Sequence, residues 1–182
     1  MSGQVENPPP STTREQARIL SITSSAEPIY LDLLKQLEAE QRKYGDALPP
    51  AATEIQIAEL QQAAQREFAL DLPQGYLAFL RLSNGLEWDG VCIFSSSKTT
   101  YAGHPERTFF DLVEHNIYFR DPLDMRDYLL LGSDDMDVYV YHLPTGMFEV
   151  RDRVPFDNLY ASFKTFDELA VHALKRSLKL HE

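Results

Sequence analysis

The chain has 182 residues, 43% of them hydrophobic, and carries 28 acidic against 17 basic side chains for a net charge of −11. That length accommodates one domain with a real core plus a tail, whereas two full domains would be cramped. The acidity argues against nucleic acid as a partner, because phosphate binding needs Lys and Arg rather than Asp and Glu.

The opening Met1-Ser2-Gly3-Gln4-Val5-Glu6 lacks a basic start and runs into three prolines, so no secretory signal is expected. No run reaches the ~18 apolar residues of a membrane span. Residues 1–23 are rich in Pro, Ser and Thr and read as a flexible tail, with the folded domain over 24–182. Pro28 opens a helix in which Tyr30, Leu33, Leu34, Leu37 and Tyr44 share a face and which Gly45 ends. Thr53 precedes Gln56 by three residues, a capping box, so a second helix starts near Glu54. Its apolar residues Ile57, Leu60, Ala64 and Phe68 form one stripe. Pro73 starts a third helix with Leu72, Tyr76, Phe79 and Leu80 inward, and Asn84-Gly85 supplies a left-handed stop.

Beyond Gly85 the periodicity changes. An Asp89-Gly90 turn precedes the apolar run 91–94, a strand, and residues 95–107 read as a polar loop. Thr108 with Asp111 starts a short helix to about 118 with Phe110, Val113 and Ile117 inward. Residues 128–131, 137–141 and 147–152 are predicted strands, the last two joined by His142-Leu143-Pro144-Thr145-Gly146. A closing helix begins at Thr165, with Glu168 completing a second capping box. Helices first, clustered strands next and one last helix describe an α+β fold: helices packed on a mostly antiparallel or mixed sheet.

The ordered series Leu48-Pro49-Pro50, Glu59-Leu60, Leu70-Asp71-Leu72-Pro73, Tyr76, Phe79-Leu80 and Ser83-Asn84-Gly85 resembles the SUKH superfamily. The likeness continues through Asp111 to Tyr118, Tyr128 to Ser133, Val138 to Tyr141 and Phe163 to Leu169, as in the YrhA-like branch, and covers about residues 28–180. It implies an immunity protein that neutralises a polymorphic toxin of a type VI or contact-dependent system by direct binding. Fungal members of that superfamily are regulatory scaffolds, so the same likeness leaves open an interaction module with no toxin partner.

The acidity is uneven. Residues 1–86 carry 11 acids against 7 bases, residues 87–157 carry 14 against 6, and residues 158–182 carry 3 against 4, giving −4, −8 and +1. Either this is a solvated surface that keeps the protein soluble, or it meets a basic protein such as a nuclease toxin. Aromatics interleave with the acids, and on a strand Val138 and Val140 would face the core while Tyr139 and Tyr141 take the more exposed side. Tyr and Trp are favoured interface anchors. The expected partner-binding set is therefore Trp88, Asp89, Asp134, Asp135, Asp137, Tyr139, Tyr141 and Glu149. The competing reading covers those tyrosines with a helix.

Catalytic and metal patterns do not emerge. His104, His115, His142, His172 and His181 are scattered, and the single Cys92 has no CxxC partner. Asp134, Asp135 and Asp137 lack the central Gly and final Glu of a calcium loop. Gly132-Ser133 lacks the second glycine of a nucleophile elbow, and no phosphate loop or dinucleotide fingerprint occurs. No enzyme activity, cofactor or metal is expected. The lone cysteine fits a reducing compartment, the cytoplasm, and the protein is expected as a monomer or weak homodimer.

Overall fold

A computed structural model of the chain describes residues 27–101 and 104–180. The predicted tail, residues 1–23, lies outside the described residues. Three helices come first. Helix α1, Leu31–Lys43, follows a turn in which the Leu31 N–H donates to the Pro28 carbonyl at 3.0 Å. It buries Leu34, Leu37 and Gln41 together with Tyr30. Tyr44 stands just past its last turn and is 72% exposed, so it does not share the inward face as the spacing predicts.

Helix α2, Glu54–Phe68, has the full capping box: the Gln56 N–H donates to the Thr53 hydroxyl and the Thr53 N–H to the Gln56 side chain. Its buried stripe is Ile57, Leu60 and Ala64. Helix α3, Gln74–Leu80, starts after Pro73 and buries Tyr76, Leu77, Phe79 and Leu80. It ends at Leu80 on Arg81. Gly85 therefore has a different task from the one expected: at φ +97° it turns the chain into the sheet, where Ile93 and Ser95 leave little room for a side chain.

The main sheet has six strands in the order β1-β2-β5-β6-β7-β8, and every neighbouring pair is antiparallel. They are β1 Leu86–Trp88, β2 Val91–Ile93, β5 Tyr128–Ser133, β6 Asp137–His142, β7 Met147–Asp152 and β8 Leu159–Phe163. The segment read as a polar loop instead forms a two-stranded sheet, β3 Thr99–Tyr101 with β4 His104–Phe109. Helix α4, Leu112–Phe119, is capped by Asp111, whose side chain accepts from the Glu114 N–H. It turns Leu112 and Asn116 inward, while Phe110 and Ile117, predicted inside, are exposed. Helix α5, Phe166–Ser177, closes the fold with the second capping box, Thr165 with Glu168.

Helix α5 covers one face of the sheet: the Phe148 and Phe166 rings lie 5.9 Å apart and Tyr139 meets His172 edge-on. Helix α4 covers part of the second face. Asn116, fully buried, pins it there by donating to the Leu130 carbonyl and accepting from the Leu130 N–H, each at 2.8 Å. Between β2 and β5 the backbones run so close that a Cβ on Gly132 would stand 2.2 Å from the Cys92 carbonyl oxygen. Gly132→Ala is therefore expected to pry β5 from β2 and lower stability by about 1–3 kcal/mol. An unfolding midpoint in urea equal to that of the unmodified protein would refute this close approach.

Candidate protein-docking surface

The eight residues predicted to meet a partner fall into three groups. Asp134, Asp137, Tyr139 and Glu149 are buried, and this corrects the expectation of an exposed acidic and aromatic strand face. The alternation argument fails at β6 because both faces of the strand are covered, so Val138 and Tyr139 are alike buried. Tyr141 is half-buried, its ring 4.8 Å from that of Phe148.

The buried acids build the fold. Asp134 Oδ1 accepts the backbone N–H groups of Met136 at 2.9 Å and Asp137 at 2.8 Å, which shapes the β5–β6 turn. Its Oδ2 accepts the Tyr139 hydroxyl at 2.8 Å and faces Arg176 Nε at 2.8 Å. Arg176 also reaches Asp137 Oδ2 at 3.3 Å. Burial first, and then the neighbouring Asp134 charge, hold the Asp137 carboxyl above its ordinary range, against the pull of Arg176. Burial, with Asp134 beside it, pushes the Tyr139 phenol up, so it stays protonated and donates. Glu149 pairs with Arg151 at 2.7 Å and lies 3.5 Å from His142 Nδ1, while Arg151 stacks over the Tyr128 ring.

Trp88, Asp89 and Asp135 meet at one corner of the molecule. The sequence Asp89-Gly90 makes the β1–β2 turn with both residues at positive φ, +48° and +81°, the conformation a tight hairpin favours and Asp-Gly supplies. The turn lifts Asp89 into solvent. Across from it, Asp135 packs against Gly90, its carboxylate oxygen 2.9 Å from where a Cβ would sit. The Trp88 ring lies 5.6 Å from that of Tyr44. This aromatic pair, with Glu40, Asp89, Leu178 and Lys179, lines a hollow of about 580 Å³, and Lys179 pairs with Asp89 at 3.2 Å across it.

Helical spacing assigns Tyr44 to the inward face of α1, which keeps it out of the expected partner-binding set and leaves the N-terminal helix around Tyr30 and Tyr44 only as the alternative surface. The adjacent Gly45 was the signal that the helix had already ended there. Aromatic faces beside carboxylates suit a cationic side chain, which gains from ring and charge together. Among the described residues no group of three or more His, Cys, Asp or Glu side chains is placed to hold a metal ion, and no helix there is long and apolar enough to cross a membrane. No protein-family model matches the chain, and no curated protein matches it significantly.

Proposed function

We propose that the protein is a SUKH-type immunity protein that binds a cognate toxin directly and stoichiometrically in the cytoplasm, through the corner at the β1–β2 turn. The observation that carries this reading is the exposed Tyr44 ring against the half-buried Trp88, set beside Asp89. The partner is a basic protein domain, of the kind that type VI or contact-dependent systems deliver. Its Lys and Arg side chains are drawn to a chain of net charge −11 and held over the two rings. Neutralisation then comes from covering the toxin's active site, and no chemistry is required of this chain.

Two variants test it in a co-expression assay with the toxin encoded beside the gene. Asp89→Asn combined with Asp135→Lys is expected to slow association and abolish protection while the protein melts normally, since both side chains are exposed and Asn, like Asp, tolerates the positive φ of the turn. Trp88→Ala is expected to speed dissociation about 30-fold, as loss of a ~2 kcal/mol anchor does. Full protection by the double variant, with binding that ignores salt, would overturn this docking surface.

A further inference from the structure

The β1–β2 turn is a ridge between two hollows. The second lies on the opposite face of the sheet, between helix α4 and the segment 152–158, and encloses about 560 Å³. Its floor is apolar: Cys92, Phe94, Leu130 and Val138. One wall is Phe110, His115 and Phe119, with Phe94 and His115 in ring contact at 4.6 Å. The other wall is Phe156 and Arg153.

The charged lining is Glu87, Asp134, Asp135 and Arg153, and Asp134 and Arg153 are engaged within the fold. Glu87 and Asp135 line the hollow with Gly90, and among the described residues neither carboxylate has an ion pair or hydrogen bond. The Arg153 guanidinium is turned to the protein, donating to the Asp134 carbonyl at 2.5 Å. The apolar surface runs past the groove. Phe110 on the α4 side is 45% exposed, and Met136 and Val154 on the other side are 67% and 81% exposed. Those last two neighbour each other, because the Arg153 N–H donates to the Met136 carbonyl at 2.9 Å. A small ligand would fit the hollow but would leave these rims bare, and exposed apolar patches of this kind mark macromolecular contacts.

Resting on the protein-binding reading above, we infer that this groove takes an extended segment of the partner that carries a large apolar side chain followed directly by Lys or Arg. The apolar side chain lies on Phe94, Leu130 and Val138, and the cation reaches Glu87 and Asp135. The two unpaired carboxylates beside Gly90 and the apolar floor set which part of the segment each receives. Asp89 lines the first hollow and Asp135 the second, one on each side of the β1–β2 ridge, so one partner loop can straddle it.

The test uses the full chain with labelled Leu and Val methyls and three blocked pentapeptides: Gly-Phe-Lys-Arg-Gly, Gly-Ser-Lys-Arg-Gly and Gly-Phe-Glu-Glu-Gly. The first is expected to shift the Leu130 and Val138 methyl signals. Its affinity should fall about tenfold with either control peptide, and by a similar factor in Phe110→Ser or in Asp135→Lys. Binding that moves only the Trp88 indole signal, with the methyls of Leu130 and Val138 still, would overturn the groove and leave the corner as the docking site. Methyl shifts with unchanged affinity in both variants would also overturn it. If no peptide moves either set of signals, the basic-partner reading falls together with the groove.

Discussion

Asp134→Ala is expected to lower the unfolding free energy by about 3–5 kcal/mol, the range found when one member of a buried charged network is removed. Asp134 is 4% exposed and accepts two backbone N–H groups and the Tyr139 hydroxyl besides meeting Arg176. Alanine strands two buried donors, the Asp137 N–H and the Tyr139 hydroxyl, at about 1–3 kcal/mol each before any relaxation, and frees the partly exposed Met136 N–H to water. The Arg176 pairing adds less, because that side chain is 42% exposed and water screens it. Its neighbour Asp135 is exposed, and Asp135→Ala should stay within about 0.5 kcal/mol of the unmodified protein. Urea unfolding of the two variants side by side reads the difference. A loss below about 1 kcal/mol for Asp134→Ala would mean that the turn does not depend on its carboxylate. Reversing Asp134, Asp135 and Asp137 together, as a purely exposed acidic surface would invite, therefore unfolds the protein before it reports on binding.

Phe79→Ala should cost about 3–5 kcal/mol, the usual loss for a buried aromatic ring cut back to a methyl group. Phe79 is fully buried in α3, its ring centroid 5.6 Å from that of Tyr30 and 5.8 Å from that of Phe166. Those two residues flank α1 and begin α5, so one side chain ties together three helices that are remote in sequence. Calorimetry on the variant decides: near-native thermal stability would remove Phe79 from the centre of the core.

The elements read most accurately from the sequence are those whose cause is local. Thr53 with Gln56 and Thr165 with Glu168 are reciprocal hydrogen bonds within a single turn, and both helix starts fall where they place them. Pro73 and the Asp89-Gly90 turn act the same way, through backbone conformation alone. The misses are residues whose role is set by something distant. Tyr139 and Glu149 lie on opposite faces of neighbouring strands, and only the arrival of α5 on one side and Tyr128, Arg151 and Phe156 on the other buries both. Strand β8 has no turn marker beyond Asn158 and an uneven exposure pattern, because a register shift against β7 interrupts its alternation. Of the candidate docking residues, Trp88, Asp89 and Asp135 were legible because they flank turns, whereas Tyr44 and the groove lining depend on the packing of the whole sheet.

The Arg176 contacts to Asp134 and Asp137 bind the β5–β6 turn to the end of the last helix, thirty-nine residues further along the chain. Because that turn carries Asp135, the carboxylate at the ridge is held in place by the folding reaction itself. The conformational entropy of ordering this part of the corner is spent when the domain folds, and little remains to be lost when a partner arrives. On the proposed docking at this ridge, recognition is by lock and key, and affinity is coupled to the integrity of a clamp whose far half, Arg176, lines neither hollow.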